Sequence, residues 1–186
     1  MTEIILVRHG ETEWNVAEIF RGRIDIELNE TGIKQAAFLA EYLGNLKIDV
    51  EIVLGLIDFN YGRWQGLSHQ EVKDKYKEFY TEWISHPERV EIPAGESLDE
   101  VRKRARGVVD DVIAKYRGSV ALVSHRVVNK VLICTLLGLD NSYFWNIRQD
   151  TCGITTFVYE KGRFILTKHN DTSYLKPIQK APLSDF

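Results

Sequence analysis

The sequence predicts an α/β fold, a three-layer sandwich with a mostly parallel central sheet. Short apolar runs at residues 4–7, 48–53 and 119–123 are separated by segments with helical spacing of apolar residues. Strands that alternate with helices are typical of a parallel sheet covered on both faces. The length of 186 residues suits one domain, which can bury a full core without metals or disulfides. We therefore predict a single domain over residues 1–186.

The predicted strands are rich in β-branched and aliphatic residues, which is typical of strands buried on both faces of a sheet. A hairpin is predicted near the C-terminal end, with strands over residues 153–159 and 163–168 and a turn at Lys161 and Gly162. The hairpin is expected to add to the sheet that the earlier strands form.

Four helices are predicted over residues 31–44, 68–85, 97–116 and 127–137. Ser97 is expected to cap the third of them, because Asp99 and Glu100 follow in the first turn, where acidic residues are favoured. Residues 58–66, rich in glycine and aromatic side chains, are expected to form an ordered loop.

The composition excludes some classes of partner. Charged residues make up 27% of the chain and the net charge is −3, so no global positive field attracts nucleic acid or an anionic membrane. The first residues lack a cationic leader pattern, and no apolar run approaches the length of a membrane span. The two cysteines lack metal-binding spacing. We expect a cytoplasmic protein whose anionic substrate meets local arginines and histidines.

Two of the predicted strands run directly into a histidine. His9 follows the first strand within an Arg-His-Gly triplet, and His125 follows the strand at 119–123. In α/β sheets, ligands bind just beyond the carboxyl ends of parallel strands. A neutral imidazole there can attack phosphorus, and the adjacent Arg8 can bind two phosphoryl oxygens through its planar guanidinium. The pattern therefore favours phosphoryl chemistry.

A single histidine at a strand end is more often an ordinary polar loop residue, but two such histidines reduce the weight of that interpretation. The remaining histidines, His69, His86 and His169, lie in polar surroundings and are expected to have no catalytic part. The cationic run at residues 102–104 is expected to be a solvated helix face. Since no cluster of acidic or histidine residues has metal-ligand spacing, we expect no metal and no cofactor.

Five ordered motifs resemble the histidine phosphatase superfamily, the cofactor-dependent phosphoglycerate mutase-like family. They lie at residues 6–15 (LVRHGETEWN), 31–36 (TGIKQA), 62–66 (GRWQG), 95–97 (GES) and 123–125 (VSH). The resemblance covers nearly the whole chain. It implies a phosphoglycerate mutase-like fold and a phosphatase that needs no metal.

The resemblance also implies roles for individual residues. His9 corresponds to the nucleophile that carries the phosphoryl group, and Arg8 and His125 to the residues that hold its oxygens. Asp58, four residues before Gly62, occupies the position of an acidic proton donor that is usually Glu. Contacts to phosphate and substrate are implied for three further residues: Asn15, Arg21 and Gly22.

One departure from the family follows Val50. A stretch of roughly 25–30 residues, the size of one strand-helix unit, is absent there, and the family's second phosphate-binding arginine lies within it. Either the chain is truly shortened, which the continuous numbering favours, or residues were omitted. In a shortened chain no arginine is obviously placed to substitute, although Arg21, Arg63 and Arg126 are near the motifs, so we expect weak phosphate binding and slow turnover. Apolar surface exposed by the missing helix would favour self-association, and a homodimer is left open.

A second departure is Arg126, where the family often has glycine. This arginine either adds positive charge beside the phosphate site or points into solvent.

Three functions compete. The favoured one is a metal-independent hydrolase for a small phosphorylated metabolite, acting through a phosphohistidine on His9. The second is a phosphoglycerate mutase, but the mutase branch tends to be longer, with segments that exclude water. The third is a shortened, catalytically impaired module that binds a phosphorylated ligand. Phosphoserine, phosphoglycerates, sugar phosphates and α-ribazole phosphate are all candidate substrates.

Overall fold

The structure, a computed structural model, describes residues 1–44 and 52–178. In those ranges the strands and helices follow one another in this order: β1 (Thr2–Arg8), α1 (Glu13–Val16), α2 (Glu30–Leu43), α3 (His69–Lys75), α4 (Lys77–Ser85), α5 (Leu98–Lys115), β2 (Gly118–Ser124), α6 (Arg126–Leu136), β3 (Ile154–Glu160) and β4 (Arg163–Asp171). Short 3₁₀ turns connect several of them.

The four strands form a mixed sheet in the order β2-β1-β3-β4. β1 and β2 are parallel, with Arg8 opposite Ser124, whereas β1–β3 and β3–β4 are antiparallel. The prediction of a mostly parallel sheet was therefore wrong. Alternation of strands and helices predicted parallel pairing, but the C-terminal hairpin inserts β3 directly beside β1 and contributes only antiparallel pairs. The predicted hairpin itself is confirmed, with Glu160 paired to Arg163 across the turn.

Helices cover both faces of the sheet. On one face, Ile4 and Leu6 of β1 are fully buried in the main core, together with Val101 of α5 and Val131 of α6. On the other face, Ile5 and Val7 form a smaller cluster with Ile154, against which Leu39 of α2 and Tyr174 pack. Because successive side chains of a strand point to opposite faces, the continuous apolar run of β1 supplies both layers. The α/β architecture with helices on either side agrees with the sequence prediction.

The helix boundaries follow local capping signals. Ser97 caps α5 as predicted, since its side chain accepts a hydrogen bond from the amide of Glu100 and that carboxylate bonds back to Ser97. Ser68 caps α3 in the same way with Glu71. The single helix predicted over residues 68–85 is instead two helices, because Tyr76 adopts a non-helical backbone (φ −130°, ψ 41°) between them.

The strand predicted over residues 48–53 lies mostly outside the described residues, as does the bond between Val50 and Glu51. Ile52 and Val53 are described and belong to no strand. Among the described strands β2 is an outer one, and its Val123 side chain is 55% exposed. Self-association through such a surface stays a prediction.

Within residues 1–44 and 52–178, no helix has the length and apolar character needed to cross a bilayer.

Candidate active site

The parallel pairing of β1 and β2 brings the two strand-end histidines together. Because Arg8 lies opposite Ser124, the next residues, His9 and His125, leave the sheet side by side at the same edge. The amide of His9 donates to the Ser124 carbonyl at 2.9 Å, and the two imidazole centroids are 5.0 Å apart. The register of one strand pair therefore builds the centre of the site.

Backbone contacts orient the His9 ring. Its Nδ1 lies 2.7 Å from the Gly10 carbonyl, which can only accept, so Nδ1 carries the proton and Nε2 keeps its lone pair. Burial holds the pKa of His9 well below its usual value, and the positive charges of Arg21 and Arg8 lower it further. His9 is consequently a neutral imidazole at neutral pH, with Nε2 as its nucleophilic atom.

Gly10 allows the close contact between this loop and α2. A Cβ on Gly10 would lie 2.6 Å from the carbonyl oxygen of Gly32, and a Cβ on Gly32 would lie 2.1 Å from that of Glu11. Since real Cβ atoms essentially never approach a carbonyl oxygen so closely, a larger residue at either position would displace the loop. The two glycines thus fix the position of the strand-end segment that contains His9.

Arg8 lies beneath the two histidines and is 5% exposed. Its Nη1 donates to the carbonyl of Gln149 at 2.6 Å. The backbone carbonyl of Arg8 accepts from the amide of Cys152 at 3.0 Å, so the segment after α6 holds both ends of this residue. A buried guanidinium fixed in this way is preorganised for an anion.

Asp58 closes the site from the opposite side. Its Oδ1 accepts from the Phe59 amide at 2.7 Å, and its Oδ2 lies 3.3 Å from Nδ1 of His125. Burial lowers the pKa of His125, and Asp58 opposes that effect. Arg104 of α5 holds the loop, because its guanidinium donates to the carbonyls of Asp58 (3.2 Å) and Ile57 (2.6 Å). The expectation that residues 102–104 are only a solvated helix face was therefore wrong for Arg104, and also for Arg102, which donates to the Leu139 carbonyl at 2.8 Å.

Arg21 lies at the centre of the site. Its Nη2 is 2.6 Å from Nε2 of His9, 3.1 Å from Oδ2 of Asp58 and 3.2 Å from Nδ1 of His125. Sequence analysis named Arg21 only as one of three arginines near the motifs, with none obviously placed to supply the guanidinium of the absent segment, and here the structure differs. Although it follows His9 by 12 positions, Arg21 reaches the His9 ring because the chain between them folds back over the site.

Asn15 and Gly22 occupy different surroundings. Asn15 lines the cavity, and its Oδ1 accepts from the Thr12 amide at 3.0 Å, so its amide nitrogen is the end available to an anion. Gly22 is not among the residues that line this cavity. It has a positive φ of 59°, and an added Cβ would meet Oε1 of Gln65 at 2.2 Å. The backbone conformation and the contact with Gln65 therefore explain why position 22 is a glycine.

The cavity beside the catalytic centre extends past Arg21. Its further walls include Glu18, Phe20, Tyr61, His69 and Arg126. Arg126 is half-buried and hydrogen-bonds to Tyr61, so the alternative in which it adds positive charge beside the pocket is the one that the structure supports. Sequence analysis assigned no part to His69, because its surroundings in the sequence are polar. Its contact with the cavity arises from the packing of α3 against the loop that contains Phe20, which the sequence pattern does not show.

Across residues 1–44 and 52–178, no group of three or more His, Cys, Asp or Glu side chains could hold a metal ion. Around His9 the charged side chains are those of Arg8, Arg21 and Asp58, with Arg126 and Glu18 also lining the cavity, and the excess of guanidinium groups suits an anionic ligand.

Comparison with known proteins gives the same picture. The sequence model of the histidine phosphatase superfamily (branch 1) matches residues 4–53 and 44–172. Phosphoserine phosphatase 1 of Hydrogenobacter thermophilus is 32% identical over 200 positions, covering 94% of this chain and 95% of that protein. The metal-independent phosphoserine phosphatase of Arabidopsis thaliana is 33% identical and covers 67% of this chain and 64% of that protein. A structure of Entamoeba histolytica phosphoserine phosphatase with 3-phosphoglyceric acid matches with a TM-score of 0.80 and 28% identity, covering 94% of this chain and all of that one.

The match to the family model is divided near Val50. The family match comes in two parts that overlap at residues 44–53, around the place where sequence analysis found a segment absent. An alignment of 200 positions with a chain of 186 residues must include positions that this chain lacks. With the family model matching well over half of its length, the chain belongs to the histidine phosphatase superfamily (branch 1) and is a phosphoric monoester hydrolase.

Proposed function

We propose that this protein hydrolyses a small phosphorylated metabolite without a metal, through a phosphohistidine on His9. The observation that carries the proposal is the uncharged Nε2 of His9, directed at the Arg21 guanidinium 2.6 Å away and flanked by His125. The proposed nucleophile, Nε2 of His9, and the positive charge of Arg21 therefore lie side by side. A phosphoryl group needs both while it is transferred.

The first chemical step transfers the phosphoryl group to His9. Nε2 attacks phosphorus in line with the ester oxygen, so that a P–N bond forms while the P–O bond to the leaving alcohol breaks. Asp58, in its protonated form, donates a proton to the departing oxygen. Arg8 and His125 bind the equatorial oxygens, over which the transferring charge is spread.

The second step releases inorganic phosphate. Asp58, now ionised, accepts a proton from a water molecule as that water attacks phosphorus. A P–O bond forms, the P–N bond breaks, and the electron pair returns to Nε2. The same carboxylate thus serves as acid and then as base, as microscopic reversibility requires.

Arg21 has to exchange partners when substrate binds. In the structure its Nη2 contacts both Nε2 of His9 and the Asp58 carboxylate. A dianionic phosphate competes for this guanidinium, and Arg–phosphate pairs form two parallel hydrogen bonds. We propose that the phosphate draws Arg21 onto its oxygens, which exposes Nε2 for attack and releases Asp58 for proton transfer. Arg21 then takes the part of the arginine in the absent segment.

Replacing Arg21 with glutamine is expected to lower kcat/KM by roughly 10²–10³, the usual cost of one preorganised donor at a developing charge. Steady-state release of phosphate from a metabolite ester measures the effect. Arg63→Gln is the matched control, because Arg63 is an exposed arginine of the neighbouring loop. Unchanged or faster turnover in the Arg21 variant would show that the guanidinium merely covers the nucleophile.

Phosphoserine is the substrate we favour, since the three proteins described above are phosphoserine phosphatases that match most of this chain's length. A phosphoglycerate mutase remains the alternative within the same chemistry. In that case the phosphohistidine returns its phosphoryl group to the bound substrate and not to water.

A screen of phosphate release separates these functions. Phosphoserine, phosphoglycerates, sugar phosphates and α-ribazole phosphate are each incubated with the protein in the presence of a chelator. We expect release from one class and no change in rate when the chelator is omitted. Isomerised phosphoglycerate without free phosphate would favour the mutase, and chelator-sensitive activity restored by magnesium would rule out the metal-independent mechanism.

A further inference from the structure

The cavity beside the proposed phosphate site is lined by two charged residues that the proposed function does not use. Arg8, Arg21 and Asp58 line it and belong to the proposed mechanism, and Arg126 and Glu18 line it as well. The proposed mechanism has no role for these last two residues. Their opposite charges in a single cavity indicate that the remainder of the substrate is itself charged.

Arg126 is fixed close to the phosphate position. It is the first residue of α6 and directly follows His125, so its backbone adjoins the catalytic centre. Its side chain is half-buried and hydrogen-bonds to the Tyr61 hydroxyl, while Tyr61 is itself only 4% exposed. A guanidinium held by a buried phenol loses little further freedom on binding a carboxylate, which it can meet with two parallel hydrogen bonds.

His69 lines the same cavity and adds no charge to it. Its ring stacks on Phe20 at a centroid distance of 4.3 Å and an interplanar angle of 9°. Burial and the nearby Arg126 lower the pKa of His69 to about 4, so it is uncharged at neutral pH. The positive charge beside His69 therefore comes from Arg126.

Glu18 is joined to His69 through the backbone. The His69 amide donates to the Glu18 carbonyl at 3.1 Å, and Ile19 forms a β-bridge with Ser68. These bonds fix the backbone of Glu18, whose φ of 53° is in the left-handed region, at the edge of the cavity. Its exposed carboxylate is an acceptor for an ammonium group.

We propose that Arg126 and Glu18 form a subsite for the α-amino carboxylate of an O-phospho amino acid whose phosphate lies at His9. Arg126 binds the carboxylate and Glu18 the ammonium group. This inference rests on the proposed function for the position of the phosphate, and it adds the two residues that select the substrate. A second phosphate at the same place is disfavoured, because one guanidinium would face a dianion while the Glu18 carboxylate repels it.

The test measures binding in a protein that does not turn over. In the His9→Ala background, calorimetric titration with O-phosphoserine, 3-phosphoglycerate and phosphoethanolamine compares ligands with both groups, with the carboxylate only and with the amine only. Arg126→Gln is expected to lower the affinity ratio of phosphoserine to phosphoethanolamine by about 10- to 100-fold, the range for a hydrogen bond to a charged group. Glu18→Gln is expected to lower the ratio of phosphoserine to 3-phosphoglycerate by about 3- to 30-fold, since Glu18 is exposed.

Glu160→Gln and Arg163→Gln are the matched controls. The two residues pair across the β3–β4 turn, which lies beside the beginning of β1 and so at the opposite end of the sheet from His9. Unchanged ratios in both test variants would overturn the subsite, and so would an absence of binding by all three ligands. Because the titration needs no turnover, the two proposals can fail separately. If the wild-type protein, which retains His9, does not hydrolyse phosphoserine, that result counts against the proposed function. Intact ligand selectivity in the titration still supports the subsite.

Discussion

Replacing His9 with alanine is expected to abolish phosphate release, with a loss on the order of 10⁶-fold, the scale seen when a covalent nucleophile is removed. The loss follows from the proposed mechanism, in which Nε2 of His9, 2.6 Å from Nη2 of Arg21, is the atom that attacks phosphorus. Steady-state assays of the wild-type and variant proteins with phosphoserine and with p-nitrophenyl phosphate measure it.

Labelling makes this prediction specific to the proposed intermediate. Brief exposure of the wild-type protein to a radioactively labelled phosphate ester should leave a protein-bound phosphate that is labile in acid and stable in base, since a P–N bond hydrolyses in acid. The His9→Ala variant should carry none. His86→Ala is the matched control, because His86 is exposed at the end of α4 and faces Glu88. Full activity in the His9 variant would end the phosphohistidine hypothesis.

Replacing Asp58 with asparagine is expected to slow the hydrolysis of alkyl phosphates by roughly 10²–10⁴, the usual contribution of a positioned acid-base group. The substitution keeps the size of the side chain and the oxygen that accepts from the Phe59 amide, so the fold of the loop should be preserved. What it removes is the oxygen near His125 and Arg21, which exchanges the proton with the leaving group. The rate with phosphoserine measures the loss.

The leaving group provides the internal comparison for Asp58. Nitrophenolate departs with little need of a proton, so p-nitrophenyl phosphate should lose less activity in the variant than phosphoserine does. Asp110→Asn is the matched control, since Asp110 pairs with Arg106 on the outer face of α5. Equal losses on the two substrates would instead show that Asp58 has only a structural part.

Much of the site is encoded locally. The apolar runs end in Arg8-His9 and in Ser124-His125, and the structure brings these two segments together because β1 and β2 pair in parallel. The Ser97 cap and the C-terminal hairpin also follow from residues close in sequence, whose hydrogen bonds form within a few positions. Short-range signals of this kind can be identified from the chain alone.

Other parts of the site depend on contacts between distant residues. The sequence by itself was enough to identify the two strand-end histidines, Asp58 and the family motifs, because each lies within a short pattern. Only the tertiary structure decided the antiparallel place of β3, the position of Arg21 against His9 and the meeting of Glu18, His69 and Arg126 in one cavity. No periodicity encodes these contacts, since each forms where loops from separate elements pack together. Their geometry depends on the packing of the whole domain.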